Sequence, residues 1–267
     1  MKCDVIINGA AGRMGKRLIA LATEDEQLNV VGATERQGYP EVGKDAGTVG
    51  GIGQIGVEIC TQLPATADCV IDFSLPEATD AVIDHCAANK IALVLATTGL
   101  SEAQTEKLAD ASGKIAIVHA SNMSVGMNVL FSMAGKAAKM LGGEYDIEIT
   151  EAHHRFKKDS PSGSALTLAR NIACETGRDF PGCLVHGRSG KDTLRQKGTI
   201  GMHAIRAGDI TGQHSVIFGA IGETVTLSHN AHNRNTFAQG ALRAAKWLIG
   251  RKPGLYSMAD VLGLAEE

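Results

Sequence analysis

The chain has 267 residues, 44% of them hydrophobic and 21% charged, and its formal net charge of −3 excludes a general attraction to nucleic acid or to anionic membranes. This length predicts two domains, and the composition is typical of a globular protein. One Trp, three Tyr and six Phe are too few for a base-stacking surface, and no apolar run reaches transmembrane length.

The six cysteines form no CxxC pair, and several lie within apolar runs. Such cysteines are expected to be buried free thiols in a reducing compartment. We expect no signal peptide or transit segment before the strand-like stretch Val5–Ile7. We therefore predict a cytoplasmic protein.

The first 120 residues alternate short apolar runs with helical patterns. Strands are predicted at Val5–Ile7, Val30–Ala33, Val70–Ile71, Ala92–Leu95 and Ile115–Val118, with helices through Leu18, Ile19 and Leu21, over Glu77–Ala88, and through Leu108 and Ala109 after a Ser101 cap. The glycine-rich stretch Gly38–Gly56 is predicted to be a loop or lid. Alternating strands and helices of this kind predict a parallel sheet covered by helices.

The pattern changes after about residue 124. A helix is predicted through Met127, Val129, Leu130 and Met133, strands at Asp146–Ile149 and around Ile205, Ile210, Val216–Phe218 and Val225–Leu227, and a last helix over Phe237–Leu248. Consecutive strands without helices between them favour a mixed or antiparallel sheet. We therefore predict an α/β protein with two domains. A Rossmann-type domain spans 1–124 and is completed by 235–267, and a smaller α+β domain spans 125–234.

Three glycines, Gly9, Gly12 and Gly15, follow the first strand and open the first helix. Such a turn lets backbone N–H groups meet a pyrophosphate, although it also fits a tight strand-to-helix turn without a ligand. Glu35 lies about 20 residues after Gly15, where an acidic residue hydrogen-bonds an adenosine ribose, and Arg36 can pair with a 2′-phosphate. The sequence therefore predicts binding of a dinucleotide, either NADH or NADPH.

Two later strand ends carry polar residues, in the runs Ala96-Thr97-Thr98-Gly99 and Ala120-Ser121-Asn122-Met123. Ligands of open α/β sheets bind outside the carboxyl ends of the strands. Thr97, Thr98, Ser121 and Asn122 are therefore candidates to reach the nicotinamide or the substrate, although ordinary turn chemistry also favours Ser and Asn there.

The segment Glu151–Ala165 places two histidines, an arginine and two lysines just before a predicted helix. Ser160 is predicted to cap this helix, with Pro161, Ser162, Gly163 and Ser164 in the first turn. A helix start attracts anions, and a glycine there lets a ligand approach the backbone. The segment predicts a site for a small carboxylate or phosphate with proton transfer nearby; the alternative is a solvated charge run before a capped helix.

Together these segments resemble the 4-hydroxy-tetrahydrodipicolinate reductase family, also called dihydrodipicolinate reductase, of bacterial lysine and diaminopimelate synthesis. The resemblance covers nearly the whole chain. It rests on GAAGRMG (9–15), ATERQG (33–38), ATTG (96–99), ASNMSVGMN (120–128), EAHHRFKKDSPSGSA (151–165), GTIG (198–201) and RAGDITGQH (206–214).

The resemblance implies NADH- or NADPH-dependent reduction of a small dicarboxylate, 4-hydroxy-tetrahydrodipicolinate, to tetrahydrodipicolinate and water. It implies two domains joined by hinges and a homotetramer assembled through the sheet of the second domain. His153 matches the catalytic acid–base residue and Lys157 the proton donor. Substrate contacts are implied for His154, Lys157, Gly163, Ser164 and Thr98. Cofactor contacts are implied for Gly9, Ala10, Ala11, Gly12, Arg13, Met14, Glu35, Arg36, Ala96, Thr97, Thr98, Ala120, Ser121, Asn122 and Met123.

The chain departs modestly from the family pattern. The family often has Gly where Ala11 and Ala96 stand, Thr where Ser164 stands, and Phe where Met123 stands. These changes are expected to shift contacts of the pyrophosphate loop and the nicotinamide slightly and to keep the hydroxyl at position 164.

Two other functions compete with this interpretation. Another two-domain NAD(P)-dependent reductase of an amino-acid precursor explains the first half of the chain but not the segment after Glu151. A catalytically silent NAD(P)-binding sensor would be expected to lack proton donors, yet His153 and Lys157 are both present. No His, Cys or Asp cluster has the spacing of metal ligands, so we predict no metal site.

Overall fold

The computed structural model describes residues 2–264, and its contacts divide the chain into two compact units. The first unit comprises Met1–Val125 and Arg234–Glu267, and the second comprises Gly126–Asn233. The second unit is thus an insertion between two segments that together form the first. Among the described residues, no helix combines the length and the apolar character needed to span a bilayer.

The secondary structure alternates strands and helices at first and then becomes richer in strands. In chain order the elements are β1 (Cys3–Asn8), α1 (Arg13–Glu24), β2 (Leu28–Thr34), α2 (Ala46–Gly50), β3 (Ile59–Cys60), β4 (Cys69–Asp72), α3 (Pro76–Asn89), β5 (Ala92–Leu95), α4 (Glu102–Ser112), β6 (Ala116–His119), α5 (Val125–Leu141), β7 (Asp146–His153), α6 (Gly163–Thr176), β8 (Leu184–His186), β9 (Ile200–Arg206), β10 (Gly212–Ala220), β11 (Glu223–Ala231), α7 (Asn235–Leu248), β12 (Gly254–Tyr256) and α8 (Met258–Leu262).

The first unit contains a seven-stranded sheet in the order β12-β6-β5-β4-β1-β2-β3. Every neighbouring pair is parallel, which confirms the predicted Rossmann-type sheet. Apolar side chains fill both faces: one core includes residues of α1 and α7, and the other includes residues of α3 and α4. Burial on both faces explains why these strands are continuous apolar runs rather than alternating ones.

The second unit contains a five-stranded sheet in the order β11-β10-β7-β9-β8. Strand β10 is antiparallel to β7 and β11, whereas β9 is parallel to β7 and β8, which confirms the predicted mixed sheet. The core lies on one face, where Ile149, Val216 and Met202 pack with residues of α5 and α6. The strands therefore alternate between buried and more exposed residues.

Several local predictions were wrong. Ile210 lies in the turn between β9 and β10, because the chain reverses direction there. The stretch Gly38–Gly56 contains the short helix α2, which is capped by the Asp45 carboxylate accepting from the Thr48 amide. Cys60 and Cys174 are exposed although buried thiols were expected.

Candidate functional site

The glycine turn after β1 is shaped by close backbone packing. Gly9 has a φ of +77°, and its N–H donates to the Thr34 carbonyl at 2.9 Å. A Cβ at Gly15 would stand 2.2 Å from the Gly9 carbonyl oxygen, so only glycine allows α1 to start this close to the turn. The N-cap residue Gly12 makes no side-chain cap, and the first turn of α1 carries no acidic residue. The helix start therefore suits a phosphate.

Glu35 follows β2 and lies beside the glycine turn. Its carboxylate accepts from the Ala11 amide at 3.3 Å and from the Arg36 amide at 3.0 Å. The Arg36 guanidinium lies over the Tyr39 ring, 5.5 Å from its centroid. The fold thus brings the predicted ribose contact and the predicted phosphate loop together, with a cation adjacent.

A buried polar network joins the ends of β1, β2 and β4 and the segment just after β5, all at the same edge of the sheet. The Asp72 carboxylate, at the end of β4 and fully buried, accepts from the Asn8 amide and from the Thr97 hydroxyl, each at 2.6 Å. Thr34 donates in turn to Asn8 at 2.7 Å. The Thr97 side chain is therefore directed inward, whereas the adjacent Thr98 is exposed.

The segment after β6 is fixed by α7. Asn122 accepts from the Ser124 amide at 2.9 Å, and the Met123 side chain is buried in the core. Gly240 of α7 approaches so closely that a Cβ there would lie 1.7 Å from the Met123 carbonyl oxygen. Among the other predicted contacts here, Ala96 and Ala120 are half-buried and Ser121 is exposed.

In the second unit, the cationic segment begins on β7 and ends at the start of α6. Ser162, not Ser160, caps this helix: its hydroxyl accepts from the Ala165 amide at 3.2 Å. The cap lies two residues later than predicted because the Ser162 amide donates to the Glu151 carboxylate at 3.0 Å. Gly163 opens the helix and is exposed, and no atom of the described residues lies within 4 Å of its Cβ position.

Glu151 and His153 lie on the same face of β7, since alternate strand residues share a face. Glu151 Oε2 lies 2.6 Å from His153 Nδ1, and both carboxylate oxygens accept from Arg206 at 2.8 Å. Arg206 reaches them from β9, where it pairs in register with His153. The three side chains form a compact ionic cluster with Glu151 at its buried centre.

Burial and charge set the protonation of this cluster. Burial disfavours the ionised Glu151, but the hydrogen bonds from Arg206, His153 and the Ser162 amide outweigh it and lower the pKa of the carboxyl. Burial also lowers the pKa of His153, helped by Lys157 and Arg206 and opposed by Glu151. For His214, whose ring is 5.2 Å from that of His153, burial first and His153 second lower the pKa to about 3. Both imidazoles are therefore neutral at pH 7.

The loop between β7 and α6 carries the remaining predicted substrate contacts. Lys157 Nζ lies 3.0 Å from Asp159 Oδ1, and the Lys157 amide donates to the His154 carbonyl at 3.1 Å. The Lys157 side chain keeps 22% of its surface exposed, so it is partly open to solvent. Ser164 follows Gly163 in the first turn of α6, next to the loop.

Sequence analysis did not single out Glu151, Arg206, His214 or Asp72. Glu151 precedes His153 by two residues on a strand, a spacing that places both on one face and could have indicated the pair. Arg206 and His214 come from distant strands, so only the register of the sheet brings them to His153. The described residues contain no group of three or more metal-ligating side chains placed to hold an ion.

Comparison with known proteins covers both halves of the chain. The family description "Dihydrodipicolinate reductase, N-terminus" matches residues 3–123, and "Dihydrodipicolinate reductase, C-terminus" matches residues 126–262. The 4-hydroxy-tetrahydrodipicolinate reductase of Alkalilimnicola ehrlichii is 48% identical over 99% of this chain and 100% of its own. That of Halorhodospira halophila is 47% identical with the same coverage.

A solved structure shows the same fold. The dipicolinate-bound dihydrodipicolinate reductase from Paenisporosarcina sp. TG-14 superposes with a TM-score of 0.77 at 22% identity, over 97% of this chain and 99% of its own. With both family descriptions matched and full-length relatives at nearly half identity, the resemblance carried by the sequence motifs is confirmed. The chain belongs to the dihydrodipicolinate reductase family.

Proposed function

We propose that this protein reduces 4-hydroxy-tetrahydrodipicolinate to tetrahydrodipicolinate, with release of water, in the synthesis of diaminopimelate and lysine. The observation that carries the proposal is the buried Glu151–His153 pair next to Lys157 and the start of α6. This arrangement combines two proton-transfer groups, His153 and Lys157, with a site for anions. A dicarboxylate that loses water and gains a hydride needs both. Full-length relatives with this activity in their names support it.

The substrate carboxylates are assigned to the loop and to α6. Lys157 and His154 supply polar groups from the loop, and Gly163 and Ser164 stand in the first turn of α6, where the start of a helix attracts anions. The exposed Gly163 lets a carboxylate approach the backbone, because a Cβ is absent there. The charge of the substrate thus fits the cationic run at residues 153–158, which contains two histidines, one arginine and two lysines.

Loss of water from the substrate requires one base and one acid. The carbon between the imine and the hydroxyl-bearing carbon gives up a proton, and the departing hydroxyl takes one. Neutral His153 suits the base and Lys157 suits the acid. When hydride then arrives at the carbon that carried the hydroxyl, the electron pair shifts to the neighbouring carbon, and His153 returns the proton there.

The residues at the carboxyl edge of the parallel sheet fit a nicotinamide dinucleotide. The start of α1 has no side-chain cap, and the glycines at positions 9 and 15 leave its backbone accessible to a pyrophosphate. Glu35 lies where an acidic residue would hydrogen-bond the adenosine ribose. Ala10, Ala11, Arg13 and Met14 complete this turn, and Thr98, Ser121 and Asn122 follow the strands assigned to the nicotinamide side. When bound, the nicotinamide supplies the hydride.

We propose that both NADH and NADPH serve, with Arg36 recognising the 2′-phosphate. Arg36→Ala is expected to weaken NADPH binding by about 1.5–3 kcal/mol, the range of hydrogen bonds to charged groups, and to weaken NADH binding far less. Fluorescence titration of each reduced cofactor measures both affinities. Equal losses for NADH and NADPH would show that Arg36 does not contact the 2′-phosphate.

The activity itself is tested by NADH or NADPH oxidation in an assay coupled to dihydrodipicolinate synthase, supplied with pyruvate and aspartate semialdehyde. Turnover that depends on all components is the expected result. Oxidation of cofactor with aspartate semialdehyde alone would favour another reductase of amino-acid precursors. Binding of cofactor without any turnover would favour a sensor.

We also propose a cytoplasmic homotetramer assembled through the mixed sheet. The sheet face opposite the core carries the half-exposed Ile205 and the partly exposed Ile217 among exposed polar residues, an apolar content that suits association. Ile217→Asp is expected to lower the mass measured by light scattering from that of four chains to that of two or one. Ala103→Asp, on the exposed surface of α4, is the matched control and should keep the wild-type mass.

A further inference from the structure

The hydrogen bonds that hold the His153 ring and its partner Glu151 are more specific than burial of the ring alone requires. The Glu151 carboxylate has 0% side-chain exposure, yet it accepts four hydrogen bonds: two from Arg206, one from the Ser162 amide and one at His153 Nδ1. An ionised carboxylate only accepts, so a proton on His153 Nδ1 is the arrangement that satisfies both partners. The remaining ring nitrogen, Nε2, then carries a lone pair.

We infer that Glu151 is a positioning residue, held in place by Arg206, that keeps the His153 proton on Nδ1 and leaves Nε2 as the proton-accepting atom. The inference rests on the proposed function in taking His153 as the base. Neither Glu151 nor Arg206 touches the substrate in this scheme. Both act through His153, by fixing its tautomer and its orientation.

Gly212 lies beside the other ring nitrogen of His153, Nε2. It begins β10, and a Cβ at this position would lie 3.3 Å from His153 Nε2 and 3.6 Å from Cδ2. The absence of a side chain at position 212 therefore leaves space beside Nε2, while Glu151 covers Nδ1. Nδ1 therefore faces a carboxylate and Nε2 faces a glycine, as expected if Nε2 is the atom that accepts a proton.

Charged and titratable groups face His153 from every element around it. They are Glu151 on β7, Arg206 on β9, His214 on β10 and Lys157 in the loop before α6. Glu151 favours the protonated ring, whereas Arg206 and Lys157 disfavour it. Removing Glu151 must therefore lower the pKa of His153, and removing Arg206 must raise it.

The tautomer is read directly by long-range ¹H–¹⁵N spectra of the ring nitrogens in the full-length protein labelled at histidine, with His153→Asn to assign the signals. At pH 7.5 the wild type should show a proton on Nδ1 and none on Nε2. In Glu151→Gln the side-chain amide donates toward Nδ1, so the proton should move to Nε2. A wild-type ring protonated on Nε2, or a Glu151→Gln ring unchanged from wild type, would overturn the inference.

The pH dependence of kcat/KM separates positioning from mere structural support. In Glu151→Gln we expect a loss of kcat of roughly 10²-fold or more, and the acidic limb should move to lower pH by about one pH unit. In Arg206→Gln the limb should move to higher pH. Two variants that only loosened the fold would not shift the limb in opposite directions, so shifts of the same sign, or none, would contradict the inference. Arg206→Lys, which keeps the charge, should restore most of the wild-type profile.

Gly212→Ala tests Nε2 without changing Glu151 or Arg206. We expect kcat to fall at least about 10-fold, since the methyl group crowds the accepting nitrogen. Gly219→Ala on the same strand is the matched control, because no atom of residues 2–264 lies within 4 Å of its Cβ position, and it should retain wild-type kcat. Equal activity of the two variants would show that Nε2 is not the reacting atom.

Failure of this inference is distinguishable from failure of the proposed function. The spectra report the His153 tautomer whether or not the protein turns over the substrate. A wild type with the Nδ1 proton but no reductase activity would refute the function and keep the positioning role. An active wild type with the Nε2 proton would do the reverse.

Discussion

Lys157→Ala is expected to lower kcat by roughly 10²-fold or more, which corresponds to about 2.7 kcal/mol of transition-state stabilisation. The reason is that Lys157 is assigned both the proton for the departing hydroxyl and a contact with a substrate carboxylate. Stopped-flow and steady-state rates of NADH oxidation with saturating substrate measure the effect. The affinity for NADH, measured by fluorescence, should stay near the wild-type value, because the residues assigned to the cofactor belong to residues 9–123.

The neighbouring Lys158 provides the control. It carries the same charge on the same loop and is exposed to solvent. Lys158→Ala removes one positive charge without removing the assigned proton donor, so its kcat should stay within a few-fold of wild type. If Lys157→Ala and Lys158→Ala lose activity equally, the loop acts only through its overall charge, and Lys157 is not the acid.

Gly240→Ala is expected to destabilise the protein by at least about 3 kcal/mol, the upper end of the cost of overpacking. The added methyl group would stand 1.7 Å from the Met123 carbonyl oxygen and 2.8 Å from its carbon, so α7 or the segment after β6 must move. Because that segment carries Asn122 and Met123, the variant should also bind the reduced cofactor more weakly. Urea unfolding followed by circular dichroism gives the change in stability.

A glycine in open surroundings separates this clash from the general effect of losing a glycine. Within the part of the chain that the structure describes, no atom lies within 4 Å of the Cβ position of Gly143, which precedes β7 and does not have a positive φ. Gly143→Ala should change stability by less than about 1 kcal/mol. A Gly240→Ala protein as stable as Gly143→Ala would mean that α7 does not pack against the Met123 carbonyl as described.

Much of the fold could be predicted from the sequence because the parallel sheet is buried on both faces. Strand β5, for instance, is a short apolar run that can be recognised as a strand without knowledge of the strands it pairs with. Strand β12 could not be predicted in this way. It has only three residues, and its pairing with β6 depends on a contact between segments more than a hundred residues apart along the chain.

In the candidate site, too, some residues could be predicted from the sequence and others could not. The cationic loop was visible because its charges are consecutive, and His153 and Lys157 stand where the resemblance implies. The helix cap was misplaced because Ser160 and Ser162 are equally suitable by residue type, and only the Glu151 carboxylate decides between them. Arg206 was not identified because its partner lies 55 positions away, across the β7–β9 register.

The insertion of the second unit into the first has a consequence for synthesis on the ribosome. The first unit cannot be completed when residue 125 emerges, since its outer strand β12 and the helix α7 that packs on its sheet follow residue 233. At translation rates of about 5–20 residues per second, the apolar face awaiting α7 stays uncovered for roughly 5–20 s. The second unit, which is continuous in the chain, is therefore the part free to fold first, and nascent chains halted before residue 234 should be selectively captured by chaperones that bind apolar surface.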